Sequence, residues 1–108
     1  MWIFTTIGFF SIVQKPGEER LTVRARAKKD LDALRSQYLP SLSETIEGAG
    51  TDYRYRAMVP RADLSEAMSR MVADITYSNF KSEVTRCAGP GRASLYHRIW
   101  EAMLKLRD

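Results

Sequence analysis

Two segments of the chain alternate apolar and polar residues with a period of two, which is typical of a strand with one buried face. The first is residues 21–26, whose two faces carry Leu21, Val23 and Ala25 and, opposite them, Thr22, Arg24 and Arg26. The second is residues 52–59, whose two faces carry Tyr53, Tyr55, Ala57 and Val59 and, opposite them, Arg54, Arg56 and Met58. Both segments therefore predict strands that have one apolar face and one basic face.

The apolar run over residues 2–14 is rich in β-branched and aromatic residues, which also favours strand structure. Either Thr6-Ile7-Gly8 is a tight turn between two short strands, or Gly8 is a bulge in one long strand. Pro16-Gly17 predicts a turn that joins this run to residues 21–26 as an antiparallel hairpin. The run is shorter than the about 20 residues that span a bilayer. Lys15 follows it, whereas a signal peptide begins with its positive charge. We therefore expect no membrane partner and a cytoplasmic location.

A period near 3.6 predicts helices in the remaining segments. The first covers residues 28–38, places Leu31, Leu34 and Tyr38 in an apolar stripe on one face, and ends before Pro40. A long loop over residues 41–51 follows it. The second helix is marked by an apolar stripe that consists of Leu64, Ala67, Met68, Met71, Val72 and Ile75. A short helix over residues 79–86 precedes a final one over residues 93–106, whose stripe is Leu95, Ile99, Met103 and Leu106, widened by Tyr96 and Trp100.

Strands early in the chain and helices late in it are typical of the α+β class. We predict a single domain over residues 1–108, with an antiparallel sheet of three to four strands and two to four helices packed mainly on one face. The 108 residues suit one hydrophobic core, and a hydrophobic content of 44% with 28% charged residues is that of an ordinary globular protein.

The basic faces of the two alternating strands are the most distinctive chemical feature. If these strands are neighbours, four guanidinium groups share one sheet face, where like charges opposite each other are destabilising. Arg20, Lys28 and Lys29 extend this face, so that residues 20–29 carry five positive charges and no acid. The net charge of the chain is +4. Arginine binds phosphate through paired hydrogen bonds, and a basic stripe is typical of nucleic-acid binding. We therefore predict a non-enzymatic binding module for nucleic acid or another polyanion, with the candidate residues Arg24, Arg26, Arg54, Arg56, Lys28 and Lys29.

Two other interpretations of the same residues stay open. Arginine on an exposed strand face is common without a ligand, because its stem covers apolar surface while its head stays in water. Acidic residues in adjacent loops could neutralise the arginines, and Phe9-Phe10 after Gly8 does not match the aromatic motif of RNA-recognition strands. Alternatively, the chain is a protein-interaction domain or a homodimer that uses a sheet edge or the strip formed by Tyr96 and Trp100.

The single Cys and single His restrict the possible chemistry. They exclude an intrachain disulfide framework and a zinc site with several thiolates. Cys87 and His97 form the candidate thiol dyad, but no orienting group or oxyanion site accompanies them. Gly48-Ala49-Gly50 lacks the lysine that follows the glycines of a phosphate-binding loop. We therefore expect no enzymatic activity, no cofactor and no metal site.

Six stretches of the chain carry a family resemblance. They read WIF at 2–4, GFFSIVQK at 8–15, LTVRAR at 21–26, TDYRYRA at 51–57, YSNFK at 77–81 and YHRIW at 96–100. Together they resemble a family of short, conserved, uncharacterised bacterial proteins of about this length. The resemblance implies a bacterial origin and a stand-alone domain, and it implies no activity, cofactor or catalytic residue. Both basic strands fall within the shared stretches, which is compatible with the predicted anion-binding face.

Overall fold

The computed structural model describes residues 1–48 and 52–108, which fold around an antiparallel sheet with the strand order β1-β2-β3-β5-β4. The strands are β1 (Trp2–Phe4), β2 (Phe9–Val13), β3 (Leu21–Ala25), β4 (Ile46–Glu47) and β5 (Tyr55–Val59). The helices of the described residues are α1 (Lys28–Gln37), α2 (Arg61–Ala73), α3 (Phe80–Ala88) and α4 (Pro90–Met103), and a 3-10 turn (Leu104–Leu106) follows α4. The predicted α+β class with an antiparallel sheet is confirmed.

Within the part of the chain that the structure describes, the sheet has five strands, so the predicted number of three to four is wrong. The additional strand is β4, which lies inside the segment predicted as a loop and pairs Ile46 with Arg56 and Glu47 with Tyr55. A two-residue strand is too short to produce a detectable alternation, and its pairing with β5 is what defines it. The remainder of that predicted loop includes residues 49–51, which lie outside the described part of the chain.

The N-terminal apolar run forms two strands, so the first of the two alternatives for residues 2–14 is correct. A tight turn over residues 5–8 joins β1 to β2. In this turn the hydroxyl oxygen of Thr5 accepts hydrogen bonds from the backbone N–H groups of Ile7 and Gly8 at 3.2 and 3.0 Å. Side-chain capping of this kind stabilises a short turn, and this stabilisation does not depend on the pattern of apolar and polar residues in the turn.

The first face of the sheet carries the main hydrophobic core. Strands β2, β3 and β5 contribute the buried residues Phe10, Ile12, Val23, Ala25, Ala57 and Val59. Helix α1 packs Leu31 and Leu34 against them, and helix α2 adds Leu64 and Ala67. The predicted stripes of α1 and of the first half of α2 are therefore core positions, while Val72 and Ile75 at the end of the α2 stripe are exposed.

The second face of the sheet is also covered by helices at one end, which corrects the expectation that helices pack mainly on one face. Phe4 and Phe9 point to this face, because their neighbours in sequence, Ile3 and Phe10, belong to the first-face core. Helices α3 and α4 bury Val84, Ala93 and Tyr96 against these two rings. The predicted Gly89-Pro90-Gly91 linker is the corner between α3 and α4, and Gly89 has a φ of 90° that favours glycine.

Candidate functional site

A row of five side chains crosses the second face of the sheet from β1 to β4. Its members face one another in the strand register and are Trp2, Ser11, Arg24, Arg56 and Ile46. Arg24 and Arg56 stand directly opposite each other on the neighbouring strands β3 and β5. Two of the predicted site residues are thus adjacent, and the repulsion between their charges has to be offset by the surroundings.

The aromatic ring of Tyr53 lies against this row and is covered by arginine side chains. The guanidinium carbon of Arg24 is 4.6 Å from the ring centroid, and that of Arg26 is 5.2 Å from it. The ring of Phe9 lies beside it at a centroid distance of 6.5 Å. Each such cation–π contact contributes about 0.5–2 kcal/mol, depending on how far the cation is desolvated. Tyr53 therefore holds Arg24 and Arg26 together, and we call Arg24, Arg26 and Arg56 the arginine cluster.

The position of Tyr53 differs from the one that the alternation predicted, which was on the first face with Tyr55. Strand β5 begins only at Tyr55, and the backbone before it bends away from the strand direction. The N–H of Gly48 donates to the carbonyl oxygen of Arg54 at 3.0 Å, which closes the β4–β5 hairpin at this point. Because residues before β5 are not in the pleat, Tyr53 is free to turn to the second face, where it is 6% exposed.

Arg54 is separated from the other three arginines by the same bend. If β3 and β5 continued one pair further, Arg54 would stand opposite Arg26. Instead, its Nη2 atom is 3.1 Å from Oε1 of Glu47, and its guanidinium carbon is 5.7 Å from the ring centroid of Tyr55. Three of the four arginines thus share the second face, and Arg54 lies at the β4 edge with its charge paired.

The two lysines of the predicted site begin helix α1, directly after Arg26 and Ala27. Both Lys28 and Lys29 are exposed. The ammonium nitrogen of Lys28 is 3.1 Å from a carboxylate oxygen of Asp32, one helical turn later, whereas Lys29 has no ion pair within the described residues. The basic surface therefore continues from the arginine cluster onto the first turn of α1.

Arg24 and Arg26 of the arginine cluster have no acidic partner among the described residues. Nη2 of Arg24 donates to Oγ of Ser11 at 2.7 Å, but its buried Nε has no hydrogen-bond partner among the described residues. No carboxylate in residues 1–48 and 52–108 lies within ion-pair distance of Arg24 or Arg26. Thr22, expected on a solvated face, is buried beside Arg24. Positive charge in a partly buried site attracts an anion more strongly than it would in open water.

An ion pair that the sequence did not reveal lies next to the cluster. Arg92 of α4 donates from Nη2 and Nη1 to Oδ1 and Oδ2 of Asp30, at the start of α1, both at 2.8 Å. The backbone N–H of Phe9 donates to Oδ2 of Asp30 at 3.0 Å. The Asp30 and Arg92 side chains are 5% and 14% exposed, and the hydrogen bonds that Arg92 donates to Asp30 raise the pKa of Arg92. This pair ties α4 to α1 and to the beginning of β2.

Tyr96 completes the connection between α4 and the sheet. Its hydroxyl group lies 3.3 Å from Nη1 of Arg92 and donates to the carbonyl oxygen of Thr5, also at 3.3 Å. Burial raises the pKa of Tyr96 above its ordinary value, although the charge of Arg92 acts in the opposite direction. The hydroxyl group therefore stays protonated and able to donate at neutral pH.

Sequence patterns carry almost no signal for the pair of Asp30 and Arg92. The two residues are 62 positions apart, Asp30 resembles any acid in the first turn of a helix, and Arg92 follows a glycine-rich corner. The glycine at position 8 is required by the close approach of Asp30. A Cβ atom at position 8 would be 2.6 Å from both Cβ and Cγ of Asp30, so this position has no space for a side chain.

The cluster and the ion pair border a cavity of about 300 Å³ on the second face, which we call the Trp2 pocket. Its lining includes Trp2, Phe9, Arg26, Tyr53, Leu95 and Ile99, and we call the buried pair of Asp30 and Arg92, which also line it, its floor. Trp2 is 63% exposed, and its ring meets that of Phe9 at a centroid distance of 5.9 Å and an angle of 88°. The pocket thus combines an exposed aromatic side chain with a guanidinium group at its rim.

A second cavity, of about 580 Å³, lies between α3 and α4, and we call it the α4 groove. Its apolar lining consists mainly of Phe4, Phe80, Tyr96, Ile99, Trp100 and Met103. The predicted apolar stripe of α4 is largely open to solvent, since only Ala93 and Tyr96 of this helix are buried. The C-terminal half of α4 therefore presents an apolar surface that the described residues leave uncovered.

Cys87 and His97 do not meet in the structure. Cys87 is exposed on α3, with its Sγ atom 3.5 Å from Nη2 of Arg86. His97 lies in the α4 groove, where its ring stacks on Trp100 at 5.3 Å and its Nε2 is 3.2 Å from Glu101. Cys87 lines a different cavity, beside Tyr38. The two side chains therefore have separate surroundings and separate partners.

No group of three or more His, Cys, Asp or Glu residues in 1–48 and 52–108 is placed to hold a metal ion. Within the same ranges, none of the helices combines the length and the apolar character needed to cross a membrane.

The chain matches no protein-family model, no curated protein and no solved structure. The resemblance to a family of short bacterial proteins therefore stays a prediction.

Proposed function

We propose that this protein is a nucleic-acid-binding module that holds the phosphate backbone with the arginine cluster and with Lys28 and Lys29. The observation that carries the proposal is the arrangement of Arg24 and Arg26 around the ring of Tyr53, opposite Arg56. Tyr53 fixes two guanidinium groups without neutralising either of them. Fixed, uncompensated guanidinium groups lose little side-chain entropy when they bind a phosphate.

The energetic balance of the cluster favours an external anion. Arg24 and Arg56 repel each other across neighbouring strands, and Arg24 and Arg26 have no carboxylate of the described residues at ion-pair distance. A phosphate group at this position relieves the repulsion and forms charge-assisted hydrogen bonds, each stronger than a neutral one. A polyanion gains in addition from the exposed lysines that follow Arg26 in sequence.

The test is a binding titration of the full chain with short oligo(dT) and with the matching oligo(dT)·oligo(dA) duplex, each at low and at physiological salt. We consider three guanidinium groups that contact three phosphates of a single strand. A plot of the logarithm of the association constant against the logarithm of the salt concentration should then have a slope of about −2. Arg26→Gln should weaken binding about tenfold or more, because a hydrogen bond to a charged group contributes about 1.5–3 kcal/mol.

Arg54→Gln is the matched control for Arg26→Gln. Both arginines are exposed and were equivalent candidates in the sequence, but Arg54 is paired with Glu47 at the β4 edge. Its replacement should change affinity by no more than about twofold, because exposed charges at a distance are screened by salt. Absence of binding at low salt, or equal losses in the two variants, would contradict the proposal.

A second candidate function, self-association through α4, is favoured by a specific observation. Trp100 and Leu106 are 59% and 77% exposed, and Trp100 lines the open, apolar α4 groove. Contiguous apolar surface of this kind is uncommon on a monomer. The same helix provides a groove and protruding apolar side chains, which is the self-complementary arrangement that a two-fold dimer requires.

Sedimentation velocity over a range of protein concentrations tests this second candidate. A dimer that dissociates in a Trp100→Lys/Leu106→Lys variant would support it. Val72→Lys is the control, since Val72 is equally exposed but lies on α2. A monomer at every concentration would exclude self-association through α4.

A further inference from the structure

We infer that the Trp2 pocket binds one unpaired nucleobase, and that the protein therefore prefers single-stranded nucleic acid over duplex. This inference rests on the proposed function, because the arginine cluster supplies the phosphate contacts of the same strand. It adds a second recognition element to those contacts, namely stacking of a base in a defined pocket next to Arg26.

The walls of the pocket have the chemistry that a base requires. Trp2 is the most exposed aromatic side chain on the second face, and Phe9 supports it by an edge contact at 5.9 Å. Leu95 and Ile99 of α4 line the other side and supply apolar surface. Stacking of a base on an aromatic side chain contributes about 1–3 kcal/mol and accepts every base, because each base has a π-face.

The rim of the pocket connects it to the phosphate-binding surface. Arg26 lines the pocket and also belongs to the arginine cluster through its contact with Tyr53. A nucleotide whose base enters the pocket would have its phosphate near this guanidinium group. The combination of a basic groove with a stacking platform is typical of proteins that bind single strands without strong sequence preference.

The floor of the pocket indicates how the base is recognised. Both carboxylate oxygens of Asp30 already accept hydrogen bonds from Arg92, and Oδ2 also accepts one from the backbone of Phe9. The two floor charges neutralise each other, so neither one requires a ligand. We therefore expect stacking to dominate and the edge of the base to contribute little, which gives a weak sequence preference.

The size and position of the pocket limit its occupant. Its volume of about 300 Å³ is at the lower end of the range of small-ligand sites. A base within a duplex is stacked and paired, and its extraction costs a few kcal/mol. A pocket that takes a base between Trp2 and α4 therefore selects for strands whose bases are already unpaired.

The test uses the fluorescence of Trp2 in the full chain, in a Trp100→Phe variant that leaves Trp2 as the sole tryptophan. Its ligands are short oligo(dT), the oligo(dT)·oligo(dA) duplex and thymidine monophosphate. Oligo(dT) should quench the fluorescence and bind more tightly than the duplex. In the chain with both tryptophans, Trp2→Ala should weaken the binding of oligo(dT) about 5- to 150-fold, corresponding to the loss of about 1–3 kcal/mol of stacking.

The control variant is Trp100→Ala, because Trp100 has a similar exposure but lies in the α4 groove. It should leave the affinity for oligo(dT) unchanged. Three outcomes separate this inference from the proposed function. If no nucleic acid binds at low salt, both fail. If Arg26→Gln weakens binding but Trp2→Ala does not, the Trp2 pocket is not the base site and the proposed function stands. If thymidine monophosphate saturates the pocket at a lower concentration than oligo(dT), the ligand is a free nucleotide and the single-strand preference is refuted.

Discussion

The buried ion pair of Asp30 and Arg92 gives the sharpest prediction about stability. Its two hydrogen bonds are both 2.8 Å long, and its side chains are 5% and 14% exposed. Removal of one partner leaves the other charge buried and uncompensated, which typically costs about 3–5 kcal/mol. We expect Asp30→Ala and Arg92→Met each to destabilise the fold by about this amount. For a domain of this size the melting temperature should fall by roughly 10–30 °C.

The double variant separates the interaction from the packing of each side chain. Once one charge is absent, removal of the second no longer breaks a pair, so the double variant should be little worse than either single variant. The corresponding coupling energy should be about 3 kcal/mol or more, at or above the upper end of what contacting residues show. The measurement is urea unfolding of the four proteins, followed by circular dichroism.

Arg86→Met provides the matched control for Arg92→Met. The pair of Arg86 and Glu83 is as short, at 2.7 Å, but Arg86 is exposed and its charge is solvated. Its removal should leave the urea midpoint almost unchanged. The reasoning would be refuted if Arg92→Met behaved like Arg86→Met, or if the two single effects simply added in the double variant.

Three further predictions concern local features of the fold. Gly8→Ala should destabilise the protein by about 1–3 kcal/mol because the new methyl group overlaps Asp30, whereas Gly91→Ala, which meets no atom within 4 Å, should stabilise it by about 0.4–1 kcal/mol. Asn79→Ala should cost about 1 kcal/mol in urea unfolding, since its side chain accepts the N-terminal hydrogen bond of α3 at 2.9 Å. Burial raises the pKa of Tyr96 in the folded state, so the unfolded chain ionises first, near the ordinary value of 10.0. Unfolding free energy should therefore fall as the pH rises above 10.0, and Tyr96→Phe should reduce this fall.

The local part of the fold was predictable because it depends on neighbouring residues. The alternation from Leu21 to Ala25 and the helical stripe around Leu31 and Leu34 were sufficient to identify β3 and α1 and their buried sides. The apolar run at the N-terminus also predicted strands correctly. Each of these elements buries the face that its own sequence pattern marks.

Features that depend on distant pairings could not be predicted in the same way. Strand β5 begins only at Tyr55, after a bend in the backbone, and Tyr53 turns to the second face against Arg24 and Arg26. The contact between Asp30 and Arg92 joins two helices 62 positions apart. No local pattern encodes the position of Tyr53 or the contact between Asp30 and Arg92. The sequence therefore identified four candidate arginines but did not distinguish Arg54 from the other three.

The arrangement of α4 is a further case in which a correct pattern led to an incomplete picture. Its apolar stripe left open whether Tyr96 and Trp100 are core residues or an exposed strip, and in the structure Tyr96 is buried whereas Trp100 and Met103 are exposed to solvent. A stripe shows which side of a helix is apolar. It does not show how far along the helix the rest of the chain extends to cover that side.

The most direct test of the central claim is the affinity of the wild-type chain, Arg26→Gln and Arg54→Gln for oligo(dT) at low salt. The arginine cluster around Tyr53 predicts measurable binding by the wild type, a loss of about tenfold or more in Arg26→Gln, and little change in Arg54→Gln. Absence of binding by the wild type, or the same affinity in all three proteins, would contradict a nucleic-acid-binding function for this face.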